Sequence, residues 1–182
     1  MDVVTTRGTT PTAATTGLEF RQDVAVRLRV NGVERAVAVP ATVTLLDWLR
    51  ESESLTGVKK GCNEGACGTC TVLVDGARMN GCLVLVSQCE GRQVTTIEGL
   101  ADTDGTLHPV QRAFLEHDGF QCGYCTPGQV LSAVACIAEG HAGSAAEVRE
   151  WMSGNLCRCA SYPQITAAVL DAAAEPGSGA TR

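Results

Sequence analysis

Residues 61–70 read GCNEGACGTC, and this stretch decides the architecture of the first half of the chain. Cys62, Cys67 and Cys70 follow the spacing C-x4-C-x2-C, and Cys82 comes after eleven further residues. Four thiolates at this spacing are typical of a 2Fe-2S cluster. A loop that wraps an anionic cluster turns its amides inward and needs unusual backbone dihedrals, which the interleaved glycines permit.

The alternatives for this loop are a zinc site or four unrelated thiols. Zinc knuckles seldom need so much glycine, and this difference favours iron and sulfide. Cys89 is the one rival to Cys82 as the fourth ligand, and the shorter spacing favours Cys82. Cys89 and Cys136 each belong to an apolar stretch, so we interpret both as small buried residues without a ligand role.

A second group of cysteines lies towards the C-terminus. Cys122 and Cys125 form C-x2-C and are followed, after thirty-one residues, by Cys157 and Cys159 in C-x-C. Spacing alone leaves open either a second 2Fe-2S cluster or a zinc site with four cysteine ligands. Cys125 and Cys159 each lie just before a predicted helix. The positive helix ends would face the anionic cluster, which favours iron and sulfur.

Composition excludes several classes of function. The chain has 182 residues with 14 Lys plus Arg against 20 Asp plus Glu, a net charge of −6, which argues against a nucleic-acid or anionic-membrane surface. The first twenty residues hold no apolar run typical of a signal peptide, and the single Arg7 makes no twin-arginine signal. No segment is apolar for long enough to insert into a membrane. We therefore expect a cytoplasmic chain, in which clustered cysteines indicate metal more often than disulfides.

Motifs of catalysis are absent from the sequence. It contains no G-x-G-x-x-G, no P-loop and no G-x-S-x-G, so we assign no catalytic residue. His108, His117 and His141 stand singly in polar surroundings, where surface or capping roles are commoner than metal ligation. A chain with two redox centres and no substrate machinery is expected to relay electrons between partners.

Strand signals dominate the first half. Residues 24–30 alternate apolar and polar side chains, Asn31-Gly32 is a hairpin turn signal, and residues 33–39 resume the alternation. Thr44, with Asp47 three residues later, predicts the start of a short helix that ends by Gly57. Further β structure is predicted at residues 71–75, 83–86 and 94–97.

Helical signals dominate the second half. Pro109 lies near the start of a predicted helix over residues 107–117, Thr126-Pro127 and Tyr162-Pro163 open two others, and Ser144 with Glu147 predicts the capped start of a fourth. The chain is thereby divided into four parts. Residues 1–22 are predicted to be a disordered tail, 23–100 a ferredoxin-like domain, 101–173 a helical domain and 174–182 a second disordered tail.

Three long strings make the sequence recognisable. GCNEGACGTCTVLVDG at residues 61–76, FQCGYCTPGQ at 120–129 and SGNLCRCASYPQI at 153–165 closely resemble the small iron-sulfur subunit of the molybdenum hydroxylases, the xanthine oxidase and aldehyde oxidoreductase family. The resemblance spans roughly residues 23–173. Several ordered motifs of this length are far more specific than a lone C-x-x-C.

This resemblance implies both a fold and a set of partners. The fold is α+β, with an N-terminal β-grasp, plant-type ferredoxin-like domain followed by an all-α four-helix-bundle 2Fe-2S domain. The partners are a large molybdopterin-binding subunit and a medium FAD-binding subunit in a heterotrimer. Electrons would pass from the helical-domain cluster to the ferredoxin-domain cluster and on to flavin. Gln121 and Cys159 would contact the molybdopterin.

The substrate of the complex rests on similarity alone. Residues 82–100 and 152–165 are similar to the small subunits of bacterial aldehyde-oxidising members, so an aldehyde is expected. An N-heterocycle or purine hydroxylase and a carbon monoxide dehydrogenase are the alternatives within the family. A free-standing ferredoxin and a zinc-binding interaction module are the alternatives outside it.

Overall fold

The computed structural model describes residues 23–180, so the tail predicted for residues 1–22 lies outside the described part. The first half forms a mixed five-stranded sheet in the order β2-β1-β5-β3-β4. β1 pairs with β5 in parallel, and all other neighbouring strands are antiparallel. The strands are β1 (Asp23–Val30), β2 (Val33–Pro40), β3 (Thr71–Val74), β4 (Ala77–Asn80) and β5 (Gln93–Thr95).

The β1–β2 hairpin confirms the strand, turn and strand predicted from the sequence. Its register runs from Asp23 opposite Pro40 to Val30 opposite Val33. Asn31 and Gly32 have φ of 49° and 79°, the two positive angles that a two-residue hairpin turn of type I′ requires. The apolar alternation of β1 therefore places one face of the strand in the core.

Helix α1 (Leu45–Glu51) begins as predicted, because the Thr44 hydroxyl accepts a hydrogen bond of 3.1 Å from the Asp47 amide. Its four largest apolar side chains, Leu45, Leu46, Trp48 and Leu49, are all buried. They pack with the inner face of the sheet into one core cluster. The first half is therefore α+β.

Two strand predictions need correction, and one strand was missed. The strand predicted at residues 83–86 was wrong, since Leu85 only bridges to Thr44 and a 3-10 helix follows at Val86–Cys89. The backbone of residues 83–86 instead forms hydrogen bonds with the residues around the start of α1. The Leu45 amide, for example, donates to the Val84 carbonyl at 2.7 Å. The strand predicted at residues 94–97 is β5, which ends at Thr95. β4 was missed because ARMN is a half-exposed edge strand of only four residues, with two apolar side chains.

The second half contains four helices around a second core. They are α2 (Pro109–Glu116), α3 (Thr126–Ala138), α4 (Ala145–Trp151) and α5 (Tyr162–Ala173). Three of them carry proline in the first turn, as predicted, and the Ser144 hydroxyl caps α4 by accepting from the Glu147 amide at 3.2 Å. Helix α5 contacts α2, α3 and α4. None of the helices between residues 23 and 180 is both long and apolar enough to cross a membrane.

Strand β3 joins the two halves, because it is buried on both faces. Val72 and Val74 belong to the core of the sheet, whereas Leu73 points the other way into the core of the helices. Helix α3 packs against β3. The helical half therefore lies on the back of the sheet.

Residues 174–180, part of the stretch 174–182 that the sequence predicts to be a poorly ordered tail, make polar contacts with the helical half. The Glu175 carboxylate accepts a hydrogen bond from the Arg112 guanidinium of α2. The His108 ring lies 3.1 Å from the Ala180 carbonyl oxygen, and Ser178 is buried. Polar partners on α2 thus hold residues 174–180, which have too few apolar side chains to predict such packing.

Candidate iron-sulfur sites

The structure brings together the four cysteines predicted for the first site. The Cys62 amide donates to the Cys67 sulfur at 3.4 Å, so these two residues form one pair. The thiols of Cys70 and Cys82 interact with each other, and the charge of Cys67 acts on Cys70. A 2Fe-2S cluster takes its four thiolates as two pairs, one pair at each iron. The arrangement therefore matches this cofactor.

The loop surrounds Cys62 with amide donors. The Glu64 and Ala66 amides lie 3.5 Å and 3.3 Å from its sulfur. Led by the bond from Glu64, these donors lower the pKa of the Cys62 thiol to about 7. The thiolate is the form that binds metal, so the backbone itself prepares this ligand.

Cys70 and Cys82 occupy a different environment, because both side chains are buried. Burial raises the pKa of the Cys70 thiol to about 12, although the Cys82 amide partly opposes it. Buried thiolates are stable only beside a compensating charge. Bound iron would supply that charge, as a metal that is coordinated by a thiol also deprotonates it.

Two glycines in the loop are required by close approaches. A Cβ on Gly61 would lie 2.9 Å from the Cys67 sulfur and 2.9 Å from the Thr69 methyl group. Gly68 has φ of 67°, and a Cβ there would lie 2.3 Å from the Gly154 carbonyl oxygen. The glycine-rich composition noted in the sequence thus serves both the site and the contact with the helical half.

Cys89 and Cys136 lie away from the two sites. Cys89 is completely buried in the sheet core, with its thiol 3.8 Å from the Leu85 carbonyl oxygen. Cys136 is completely buried in the helical core, with its thiol 3.2 Å from the His141 carbonyl oxygen. Both side chains fill apolar space, as the sequence predicts.

The second predicted site is built from the start of α3 and the loop before α5. The thiols of Cys125 and Cys157 interact, and the charge of Cys122 acts on Cys125. Burial raises the pKa of the Cys125 thiol to about 12. Burial opposes ionisation of Cys157 too, but the Ser161 and Cys159 amides outweigh it and lower the pKa of that thiol. Cys122, Cys125 and Cys157 thus lie near one another, and Cys159 follows Cys157 in the same loop.

Helix α3 confirms the expected setting of Cys125, which is its N-cap residue. The free amides of the first turn of α3 therefore begin at the residue after Cys125, although its thiol accepts no capping hydrogen bond from them. Within residues 23–180, no three Cys, His, Asp or Glu side chains form a group able to hold a metal ion. The cysteines of the first site lie in two pairs instead, and in the second site Cys125 and Cys157 form a pair.

Comparisons with known proteins agree with this geometry. Residues 28–101 match the family model of the 2Fe-2S iron-sulfur cluster binding domain, and residues 96–170 match that of the [2Fe-2S] binding domain. The aldehyde oxidoreductase iron-sulfur-binding subunit PaoA of Escherichia coli K12 is 50% identical, covering 81% of this chain and 71% of its own. The nicotine 6-hydroxylase small subunit of Paenarthrobacter nicotinovorans is 46% identical, covering 85% and 93%.

A solved structure agrees as well. In the crystal structure of quinoline 2-oxidoreductase from Pseudomonas putida 86, the matching chain is 45% identical with a TM-score of 0.79, covering 84% of this chain and 93% of that one. This chain belongs to the small iron-sulfur subunits of the molybdenum hydroxylases. It is an electron-transfer subunit of an oxidoreductase.

In this iron-sulfur subunit, sequence reasoning missed the residues that connect the two sites. The Leu156 amide donates to the Cys67 carbonyl at 2.9 Å, so a hydrogen bond links one site's ligand loop to the residue before Cys157. The Tyr124 hydroxyl donates to the Lys60 carbonyl at 2.9 Å. The only signal in the sequence was the position of these residues beside cysteines.

Asn155 is a further connecting residue of the iron-sulfur subunit. Its buried side-chain amide donates to the Gly68 carbonyl at 2.9 Å and to the Thr71 hydroxyl at 3.1 Å. Its side-chain oxygen accepts from the Ser132 hydroxyl at 2.6 Å. One side chain therefore ties β3, α3 and the loop before Cys157 together.

Gln121 and Cys159, the residues expected to contact molybdopterin, lie at the edge of the second site. Gln121 is exposed in the loop before α3, next to the exposed Cys122. Cys159 is half-buried in the loop before α5. Both loops belong to the second site, and both reach the surface of the subunit.

Proposed function

We propose that this chain relays electrons from a molybdenum centre in a large partner subunit, through two 2Fe-2S clusters, to FAD in a medium partner subunit. The observation that carries the proposal is the pair of four-cysteine sites whose loops share the hydrogen bond between Leu156 and Cys67. Two redox centres held in one fold suit one-electron transfer, and the chain's own residues supply no substrate chemistry.

The ligand assignments form part of the proposal. The paired thiols and the amide donors around Cys62 support iron and sulfide in the first site. The amides of Ser161 and Cys159 support thiolate at Cys157 in the second site. The proposed ligands are Cys62, Cys67, Cys70 and Cys82 for the first cluster, and Cys122, Cys125, Cys157 and Cys159 for the second.

The direction of transfer is proposed from the resemblance to the family, and the exposure of one edge of the second site supports it. Gln121 and Cys122 are exposed there, whereas in the first site Cys62 and Cys67 are half-buried and Cys70 and Cys82 are buried. We therefore assign the second cluster to the molybdenum side, with Gln121 and Cys159 in contact with molybdopterin. The first cluster would then pass electrons onward to the flavin.

An aldehyde is the proposed substrate of the complex, because PaoA, at 50% identity, is named as an aldehyde oxidoreductase subunit. A nitrogen heterocycle is the second candidate. The relatives named for nicotine and quinoline are 46% and 45% identical, which is close to the same level. The substrate pocket would lie in the large subunit, so this chain does not separate the two.

The proposal also covers the finer description of the fold. The sheet order β2-β1-β5-β3-β4, with β1 and β5 parallel, supports a β-grasp over residues 23–100. The contacts of α5 with α2, α3 and α4 support a four-helix bundle over residues 101–173. Each unit would hold one cluster.

Metal analysis with spectroscopy tests the proposal. The purified chain should contain about four irons and show two distinguishable paramagnetic resonance signals after dithionite reduction, because two 2Fe-2S clusters hold two irons each. Zinc in place of iron, or only two irons, would contradict it. Co-purification with two larger chains that contain molybdenum and FAD should accompany the expected result, and a chain isolated alone would favour a free-standing ferredoxin.

A further inference from the structure

Ser161 is an N-cap residue that does not cap its helix. In this chain the Thr44 and Ser144 hydroxyls accept hydrogen bonds from the third amides of α1 and α4. Ser161 precedes α5 in the same position, but its hydroxyl makes no such bond. Serine is favoured at this position mainly because it caps. Its hydroxyl is therefore left for another partner.

The Ser161 side chain is also deeply buried. The residue is only 2% exposed, and its hydroxyl oxygen has no hydrogen-bonding partner within the described residues. A buried hydroxyl without a partner costs free energy, and folded proteins generally satisfy such groups. We therefore expect the Ser161 hydroxyl to donate a hydrogen bond to an acceptor beside it.

The neighbours of Ser161 identify that acceptor as sulfur. Its amide and hydroxyl both lie beside the Cys157 thiol and act on it, although the hydroxyl makes no hydrogen bond within the described residues. Ala160 has φ of 60°, a left-handed conformation that a non-glycine residue seldom adopts. This strained turn brings Ser161 back towards Cys157. The Tyr162 hydroxyl accepts from the Cys157 amide at 2.9 Å and closes the same loop.

We propose that the Ser161 hydroxyl donates a hydrogen bond to a sulfur of the second 2Fe-2S cluster and raises the reduction potential of that cluster. The inference rests on the ligand set proposed above. Reduction adds one negative charge to the cluster, and a donor to its sulfur stabilises the more negative state. Removing the donor should therefore make the cluster harder to reduce.

The test is a redox titration of the iron-loaded full chain, followed by paramagnetic resonance of both clusters. At a fixed potential, Ser161→Ala should lower the ratio of reduced to oxidised second cluster by about two- to tenfold, the range of one net hydrogen bond. The first cluster should not change. Ser161→Thr keeps a hydroxyl and should retain the wild-type ratio. Ser144→Ala removes a true cap and should leave both clusters unchanged.

A second readout covers the case in which Ser161→Ala binds too little iron. Pulsed resonance after brief exposure to heavy water should detect a rapidly exchanging hydroxyl proton coupled to the second cluster in the wild type and in Ser161→Thr, apart from the slowly exchanging amide protons of Ser161 and Cys159. A missing proton in both, or an unchanged ratio in Ser161→Ala, would overturn the inference, as would an equal shift of both clusters. A wild-type chain with no second iron signal would overturn the ligand set as well, so the two failures are distinguishable.

Discussion

The pKa values of two cysteine thiols in one loop are shifted in opposite directions. Cys62 lies among amide donors that lower its pKa to about 7, whereas burial raises the pKa of Cys70 to about 12. The first is prepared as a ligand by the protein alone, and the second becomes a thiolate only beside bound metal. Iron binding should therefore begin at Cys62 and release a proton when it reaches Cys70.

The choice between Cys82 and Cys89 gives a prediction for single residues. Cys82→Ser should reduce the iron content by about two per chain and remove one of two paramagnetic signals, because Cys82 contacts Cys70 in the first site. Cys89→Ala is the matched control. It should keep all the iron and cost only about 1 kcal/mol of stability, since a buried side chain loses one heavy atom. Iron loss in Cys89→Ala with retention in Cys82→Ser would reverse the assignment.

Between elements, the loop at residues 61–70 fits closely against the residues before Cys157. A Cβ on Gly68 would lie 2.3 Å from the Gly154 carbonyl oxygen, and Asn155 and Leu156 both bond this loop. This close packing leaves no room for a side chain at Gly68. The two loops therefore behave as one structural unit.

Gly68→Ala should accordingly destabilise the chain by roughly 3 kcal/mol, through the clash with backbone and a positive φ of 67°. Gly76→Ala is the matched control, because Gly76 has φ of 81° but no atom within 4 Å of a Cβ. It should cost only about 1 kcal/mol. The measurement is urea unfolding followed by circular dichroism, and equal losses for the two variants would disprove the close fit.

Elements with local signals were predictable from the sequence. The Asn31-Gly32 turn, the Thr44 cap and the prolines of the helices act over a few neighbouring residues, so their patterns can be recognised in one window. The strand at residues 83–86 was wrong because a short apolar run has the same appearance in a strand and in a buried turn. The cysteine groups were visible through their spacing, whereas the role of Asn155 depends on contacts across more than eighty residues.

On the scale of the molecule, the two cores share one strand. Leu73 of β3 is fully buried and belongs to the core of the helices, while its neighbours Val72 and Val74 belong to the core of the sheet. This explains why TVLV is apolar without alternation. A substitution at Leu73 of β3 should therefore destabilise the helical half.

Leu73→Ala should destabilise the chain by about 3 kcal/mol, because it leaves a cavity in the helical core. Urea unfolding should shift in parallel when followed by helical circular dichroism and by the visible absorption of the clusters. Leu115→Ala makes the same chemical change at a side chain of α2 that is 54% exposed, and should alter stability by less than about 0.5 kcal/mol. A loss of absorption well before the loss of helix would show that the halves unfold separately.

The bond between the Leu156 amide and the Cys67 carbonyl has a kinetic consequence. Electrons tunnel, and their rate falls steeply with the gap they cross. Here the gap between the proposed clusters is set inside one folded chain, so the hop between them is unimolecular and needs no encounter. Dilution, ionic strength and viscosity should slow only the steps in which separate proteins must meet, and should leave this internal hop unchanged.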